Sequence, residues 1–201
     1  MAPRRVGLLG GSFNPAHQGH LHVSLEALAR LDLDEVWWLV SPQNPLKAKR
    51  GMASFARRTA GAQKLASGHK RIRVLDLEAR LGTRFTVDTL AALRRRWPKI
   101  RFVWLMGADI LAELPRWKRW PELFGRVPVA VFARPIYCAK SLAGKASLRF
   151  SRYRAGPRSG RRLASLRPPA WTFLRVRLDP SSGTALRAPR PRKRLSIDAK
   201  R

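Results

Sequence analysis

A glycine turn near the start of the chain, between an apolar run and a helical pattern, constrains the fold more than any other feature. Residues 6–9 have the apolar composition of a buried parallel strand, and from Gln18 onward apolar residues recur at helical spacing. Gly10 and Gly11 lack a Cβ, so the chain can turn sharply there and a ligand can lie against the backbone. The pattern predicts a strand, a turn and a helix whose N-terminal amides form an anion site.

Two histidines, His17 and His20, lie at the predicted start of this helix. A spacing of three residues places both imidazoles on one side of the first turn, beside the anion site. There they can donate hydrogen bonds to phosphate oxygens and stabilise charge that develops during phosphoryl transfer. Gly19 between them leaves room for a nucleotide. An isolated pair at this spacing more often comprises a helix cap and a surface residue, but the glycines, the Asn14-Pro15 turn and the strand favour catalysis.

The sequence GGSFNPAHQGH, residues 10–20, resembles the signature of the nucleotidylyltransferase superfamily, whose motif is (H/T)xGH. Asn14 and His17 make it similar in detail to the bacterial nicotinate-nucleotide adenylyltransferases. The related pantetheine-phosphate adenylyltransferases usually have Asp and Thr at these two positions. The resemblance implies that the ATP phosphates meet His17 and His20, and that the ATP site includes Gly10, Gly11, Ser12, Phe13, His17, Gly19 and His20.

A second segment, SGTALR at residues 182–187, resembles the family's Ser-Ser-Thr-x-Ile-Arg, in which a helix N-terminus and an arginine hold the ATP phosphates. The resemblance assigns Ser182, Gly183 and Thr184 to ATP binding and gives Arg187 a catalytic role as well. Small hydroxyl residues and a glycine can open a helix, and a guanidinium one turn later can bind phosphate. Gly183 replaces the second Ser, so one hydroxyl is lost while the backbone amide remains.

Further resemblances concern the acceptor of the adenylyl group. Residues 84–89 are similar to the family's Ser-Tyr-Thr-x-Asp-Thr segment, which meets the nicotinate, although Arg84 stands where Ser is usual. The resemblance implies stacking of Trp117 on the pyridine ring, with Trp120 in the core, and Asp109 near ribose hydroxyls or the metal-phosphate cluster. The full set of acceptor residues is Asn14, Lys47, Thr86, Asp109, Trp117 and Arg134.

Each of these residues also has a simpler interpretation. Lys47 fits a solvated loop lysine in a basic protein equally well. Thr86 and Asp109 are suitable helix caps. Two tryptophans three residues apart, such as Trp117 and Trp120, more often pack in a core.

The alternation of apolar runs with helical patterns predicts an α/β fold: a Rossmann-like three-layer domain with a mostly parallel sheet flanked by helices. The family resemblance extends over most of residues 4–187, so residues 1–187 are predicted to form one nucleotidylyltransferase domain. Residues 140–169 lack periodicity and are interpreted as a basic surface helix or loop. Residues 188–201, rich in Pro and Arg, are predicted to be a disordered basic tail. The predicted strands are residues 6–9, 35–40, 72–75, 100–106, 127–132 and 170–176, and the predicted helices begin at 18 and span 54–66 and 86–97.

The charge of the chain is extreme. The formal net charge is +30 and the isoelectric point is near 12, which implies affinity for nucleotides, nucleic acid or an anionic membrane surface. The single cysteine, Cys138, excludes an internal disulfide framework and fits a reducing compartment. With no signal peptide and no apolar run of transmembrane length, we expect a cytoplasmic protein without a membrane partner.

The combined motifs predict transfer of the adenylyl group of ATP to nicotinate mononucleotide, giving deamido-NAD and pyrophosphate. Mg²⁺ is expected to arrive with the ATP phosphates, because no dedicated carboxylate cluster and no zinc-binding spacing is visible. One alternative keeps this chemistry with nicotinamide mononucleotide or phosphopantetheine as acceptor. Another, from a different class, is a basic nucleic-acid-binding protein, with nonspecific RNA association through the C-terminal part.

Overall fold

One sheet of parallel strands organises the molecule. The computed structural model describes residues 3–42 and 51–177. Within those residues the order in the sheet is β3-β2-β1-β4-β5-β6, and every neighbouring pair is parallel. The strands are β1 Arg5–Gly11, β2 Glu35–Val40, β3 Ile72–Leu75, β4 Arg101–Gly107, β5 Val129–Phe132 and β6 Trp171–Leu174. This is the doubly wound Rossmann order, and it confirms the predicted fold class. Ligands of such sheets bind outside the carboxyl ends of the strands where the order reverses, here between β1 and β4.

Helices pack on both faces of the sheet and complete three layers. In the described part of the chain they are α1 Gln18–Arg30, α2 Phe55–Ala66, α3 Leu77–Arg80, α4 Thr86–Arg96, α5 Ala108–Glu113, α6 Trp120–Arg126, α7 Cys138–Leu142 and α8 Lys145–Arg149. Short 3-10 segments lie at Leu114–Arg116, Ser151–Tyr153 and Pro157–Ser165.

Two hydrophobic cores lie on opposite faces of the sheet because successive side chains of a strand alternate in direction. On β1, Leu8 belongs to one core, together with Trp104 of β4 and residues of α4, α5 and α6. Leu9 belongs to the other, together with Trp38 of β2 and residues of α1 and α2. Because both faces are covered, the strands consist of nearly continuous apolar residues, as the sequence indicated.

Element boundaries follow the predicted pattern most closely where apolar runs end in turn residues. β2 and β3 have the predicted bounds. β5 begins at Val129, two residues later than predicted, because Val127 is the C-cap of α6 and Pro128 follows it. The simpler interpretation of Thr86 as a helix cap is wrong: the N-cap of α4 is Phe85, and no side chain caps that end.

The interpretation of residues 140–169 as a surface segment is wrong in part. The segment forms short helical turns, and its buried apolar side chains include Phe150 and Leu163. Phe150 stacks on Phe124 of α6 at 4.2 Å between ring centroids. Its carbonyl accepts a hydrogen bond of 2.8 Å from the indole nitrogen of Trp171. The segment therefore contributes to both cores, with Phe150 in one and Leu163 in the other, although its arginines are exposed.

Several predicted features lie outside the described residues: Lys47, the motif at residues 182–187 and the tail at 188–201. In residues 3–42 and 51–177, no helix combines the length and the apolar character needed to cross a membrane.

Candidate active site

The turn after β1 leads the chain to the switch point of the sheet. Gly10 is required by close packing, since a Cβ there would lie 2.5 Å from the Trp104 ring. Phe13 is buried and has φ +47°, in the left-handed region. Asn14 precedes a cis peptide bond to Pro15. Its side-chain amide donates to the Gly51 carbonyl at 3.1 Å. The turn is thus held by packing and by hydrogen bonds to a distant loop.

The two histidines lie together at the start of α1, as predicted. His17 is the N-cap residue, and its ring centroid is 3.9 Å from that of His20. The backbone N–H of His17 donates to Nδ1 of His20 at 3.2 Å. A ring nitrogen that accepts a hydrogen bond carries no proton, so the neutral His20 ring is protonated at Nε2. This tautomer is the one that can donate from Nε2 to an oxyanion.

A cavity of about 220 Å³ adjoins the histidines; we call it the motif cavity. It is open to the carboxyl ends of β1 and β4, where the topology places a ligand site. It brings together most of the residues predicted to bind ATP and several assigned to the acceptor. Its predicted site residues are Gly10, Gly11, Ser12, Phe13, Asn14, His17, Gly19, His20, Asp109, Trp117 and Arg134.

Asp109 and Arg134 approach each other at the edge of the motif cavity, with 3.6 Å between Arg134 Nε and Asp109 Oδ1. Asp109 is in the first turn of α5, and Arg134 follows β5. The simpler interpretation of Asp109 as a helix cap is wrong, because Gly107 is the N-cap of α5 and no side chain caps it. Both side chains are placed where a nucleotide could contact them.

A second cavity, of about 180 Å³, lies next to the first and contains Thr86 and Trp117; we call it the aromatic cavity. Phe85 and Thr86, at the start of α4, form one part of its lining, and Trp117 forms another. The two cavities share Gly10, Gly11, Trp104 and Trp117. Trp120 also contributes to the lining of the aromatic cavity, and it is buried in the core as predicted. An elongated ligand can therefore extend from the histidines past Trp117 to Phe85.

Several cationic side chains line the aromatic cavity. Arg84 and Lys118 lie near the Phe85 ring, with the Lys118 Nζ 4.8 Å from its centroid. Within the described residues neither side chain forms an ion pair with a carboxylate. Arg119, on the same lining, pairs with Asp88. Arg84 and Lys118 thus leave positive charge available to an anionic group in this cavity.

Glu78, which the sequence analysis did not single out, also lines the aromatic cavity. It is 8% exposed, and this burial raises the pKa of its carboxyl group to about 6, against a smaller opposing effect of a hydrogen bond with Ser41. No spacing in the sequence indicated that Glu78 is buried, because its burial depends on how the single turn α3 packs.

Arg58 of α2 is the second residue that was missed. It is 3% exposed, and its guanidinium donates to backbone carbonyls near the motif. A signal was present in the sequence: Arg58 continues the helical spacing of Phe55, Ala62 and Leu65, which were predicted to face inward.

A resident metal site does not emerge from the part of the chain that is described. In residues 3–42 and 51–177, no group of three or more His, Cys, Asp or Glu side chains is arranged to hold an ion. Asp109 is the carboxylate on the lining of the motif cavity.

Comparisons with known proteins establish the family of the chain. A family model described as cytidylyltransferase-like matches residues 8–188. A protein of Parvibaculum lavamentivorans is 54% identical over 91% of this chain and 90% of its own length. One of Cereibacter sphaeroides is 55% identical over 91% of this chain and 96% of its own. Both bear the name "Probable nicotinate-nucleotide adenylyltransferase". The chain belongs to the cytidylyltransferase-like family and, within it, to the nicotinate-nucleotide adenylyltransferases.

Solved structures support the fold. The nicotinic acid mononucleotide adenylyltransferase of Plasmodium falciparum, in complex with NaAD, superposes with a TM-score of 0.64 at 16% identity. The match covers 86% of this chain and 75% of that one. At this identity the likeness concerns the architecture alone.

Proposed function

We propose that this chain transfers the adenylyl group of ATP to nicotinate mononucleotide, forming deamido-NAD and pyrophosphate. The observation that carries the proposal is the pair of connected cavities at the switch point. One lies beside the histidine motif, and the other combines Trp117 and Phe85 with cations. The identity to relatives named for this reaction supports it.

The reaction needs little acid-base chemistry from the protein. A phosphate oxygen of the acceptor, already ionised at neutral pH, attacks the α-phosphorus of ATP. As that bond forms, the bond to the bridging oxygen breaks and pyrophosphate leaves. Catalysis then depends on holding the groups in line and on stabilising the charge of the transition state. His17 and His20 are proposed to take the second role, and Arg187, outside the described residues, is predicted to share it.

The acceptor is proposed to extend across both cavities. Its phosphate must reach the histidines, so its ring falls in the aromatic cavity, against Trp117 and close to Phe85 and Thr86. Arg84 and Lys118 are then near the end of the ring that bears the carboxylate. Positive charge at this end favours nicotinate over the neutral nicotinamide.

The remaining assignments keep their predicted roles. Gly10, Gly11, Ser12, Phe13 and Gly19 surround the ATP phosphates. Asn14, Asp109 and Arg134 face the joined nucleotides, with Asp109 toward ribose hydroxyls or the metal-phosphate cluster. Lys47 and the segment Ser182, Gly183, Thr184 and Arg187 are proposed to complete the phosphate site.

Mg²⁺ is proposed to bind with the ATP phosphates. It would neutralise their charge, and it commonly takes only one or two protein carboxylates beside phosphate oxygens. The fit is adequate here because Asp109 lines the motif cavity. We further infer a cytoplasmic location from the single, half-buried thiol of Cys138.

Pyrophosphate release from ATP with a panel of acceptors tests the function. We expect rapid release with nicotinate mononucleotide, release at least about tenfold slower with nicotinamide mononucleotide, and none with phosphopantetheine. Faster release with phosphopantetheine would identify a different adenylyltransferase. No release with any acceptor, together with tight RNA binding, would favour the nucleic-acid-binding alternative.

A further inference from the structure

Arg58 is buried beneath the turn that follows β1, at residues 12–15, which we call the motif turn. Its side chain contacts three separate parts of the backbone. Its Nη1 donates to the carbonyl of Ser12 at 2.6 Å and to that of Ser41 at 2.8 Å. Its Nη2 donates to the Pro42 carbonyl at 2.8 Å, and its Nε donates to the Ala53 carbonyl at 3.1 Å. The planar fork of a guanidinium is suited to joining several acceptors whose directions are fixed. One side chain thus ties the motif turn to the loop after β2 and to the start of α2.

The charge of Arg58 is not balanced by a carboxylate in residues 3–42 and 51–177, where its partners are carbonyl dipoles. Burial lowers the pKa of the guanidinium, which reflects the cost of removing a cation from water. Ser12, one of its partners, also lines the motif cavity. An anion bound in that cavity would reduce this cost through the low dielectric of the interior.

The bond to Ser12 also determines which way the next amide faces. The peptide between Ser12 and Phe13 is trans, since the cis bonds in the described residues are at Asn14-Pro15 and Pro168-Pro169. In a planar trans peptide the C=O and N–H groups point in opposite directions. The Ser12 carbonyl points to Arg58, so the Phe13 N–H points away from it.

In the part of the chain that is described, no backbone or side-chain acceptor is bonded to the Phe13 N–H. Phe13 lines the motif cavity, and its left-handed φ of +47° is unfavourable for a residue with a Cβ. A conformation of this kind persists only where surrounding contacts impose it, and Arg58 supplies such a contact.

We propose that Arg58 is a positioning residue for adenylyl transfer. It fixes the peptide between Ser12 and Phe13 so that the Phe13 amide donates to the transferred phosphoryl group. The triphosphate of ATP, in turn, balances the buried charge of Arg58. The inference rests on the proposed function.

Two substitutions separate the geometric role from the charge. Arg58→Lys keeps the charge but offers a flexible ammonium in place of the fork, and Arg58→Met removes the charge while keeping much of the stem. Arg57→Met is the matched surface control, because Arg57 is the exposed neighbour on the same helix. Ala62→Gly, at a buried position of α2, is a control for destabilisation of that helix without loss of Arg58.

Two measurements are made on the full chain. The first is calorimetric titration with the non-hydrolysable probe α,β-methylene-ATP, which needs no acceptor. The second is kcat and KM with ATP and nicotinate mononucleotide. For Arg58→Lys we expect kcat to fall at least about tenfold while the dissociation constant of the probe changes by less than about threefold. For Arg58→Met we expect kcat to fall at least about tenfold and the dissociation constant of the probe to rise at least about tenfold.

The outcomes that would overturn the proposal are distinct from failure of the proposed function. An unchanged kcat in folded Arg58→Lys would overturn it. An equal loss of kcat in an Ala62→Gly variant of matched stability would show that the role is structural only, and would also overturn it. If Arg58→Met does not fold, Arg58→Lys still decides. If the natural protein binds the probe but does not adenylylate nicotinate mononucleotide, the proposed function fails, and Arg58→Lys assayed with the true acceptor still decides.

Discussion

His20 is the residue on which the proposed chemistry most depends. Its ring is placed by the His17 backbone N–H and by the Phe13 ring, whose centroid is 4.5 Å away. The ring centroid of Trp38 is 6.0 Å from that of His20. Because these contacts come from both the turn and β2, the imidazole is oriented before a substrate arrives. Such preorganisation is what makes a hydrogen-bond donor effective in a transition state.

Substitution His20→Ala is therefore expected to lower kcat by about 100-fold to 1,000-fold. The fold should persist, because His20 is only partly buried and lies on one face of a long helix. Steady-state pyrophosphate release, with circular dichroism as the check on folding, measures both effects. His69→Ala, in the turn between α2 and β3, is the control for loss of an imidazole elsewhere. Turnover of His20→Ala near that of the natural protein would remove His20 from the catalytic assignment.

The raised pKa of Glu78 is expected to make the stability of the protein depend on pH. Its folded pKa of about 6 exceeds the ordinary value of 4.5, so its protonated form is favoured by folding. This contribution is fully present below about pH 4.5 and is lost as the pH rises through 6. A difference of 1.5 pKa units corresponds to about 2 kcal/mol.

The side chain of the Glu78→Gln variant cannot titrate. The unfolding free energy of the variant should therefore increase relative to that of the natural protein as the pH rises. We expect the difference in unfolding free energy to shift in favour of the variant by up to about 2 kcal/mol between pH 4.5 and 7. Urea unfolding at three pH values measures the difference. The exposed Glu113→Gln serves as the control and should show little dependence. A difference for Glu78→Gln that is the same at all three values would contradict the assigned cause.

At the scale of elements, α1 is attached to β2 by a short chain of buried hydrogen bonds. The indole nitrogen of Trp38 donates to Ser24 Oγ at 2.7 Å, and Ser24 Oγ donates to the His20 carbonyl at 2.8 Å. Both side chains are buried. The chain of bonds therefore couples the position of the strand to the helix turn that carries the histidines.

Ser24→Ala removes the hydroxyl that links the two hydrogen bonds and leaves the Trp38 indole N–H buried without its acceptor. An unmade hydrogen bond of this kind costs about 1–3 kcal/mol. We expect a loss of that size in urea unfolding, with a fall in kcat of less than about tenfold, because His20 keeps its bond to the His17 amide. A stability within about 0.5 kcal/mol of the natural protein would show that the network contributes little.

The elements also show what sequence could and could not predict. β2 and β3 were predicted at their bounds because each is an apolar run that ends in turn residues, and the first phosphate motif was found because its strand, glycines and helix are contiguous. The helical spacing placed Arg58 on the inner face of α2, but its role was not predicted, since its acceptors at Ser12 and at residues 41–42 are distant in sequence. Phe150 and Leu163 were missed because the short turns around them carry no helical period long enough to read.

At the scale of the whole molecule, charge is the dominant feature. The net charge is +30. Because the proposed substrates are anionic, a positive field of this kind accelerates their approach. Residues 123–178 contain neither Asp nor Glu. The same charge that steers nucleotides is expected to attract RNA without sequence preference.

Deleting residues 188–201 separates these effects, since the segment carries six Lys or Arg residues and one Asp. We expect kcat/KM to remain within about twofold, while RNA retention weakens and depends less steeply on salt. Filter binding with single-stranded RNA at low and moderate salt, beside the pyrophosphate assay, provides the comparison. Loss of adenylyl transfer on deletion would place part of the catalytic site in this segment.

The central claim is that two connected cavities at the switch point hold the two nucleotides end to end. A crystal structure with α,β-methylene-ATP and nicotinate mononucleotide tests it most directly. The account predicts the triphosphate in the motif cavity, in contact with the Phe13 amide, His20 and Arg187, and the pyridine ring against Trp117. A triphosphate bound on the basic surface of residues 140–177, with the motif cavity empty, would contradict it.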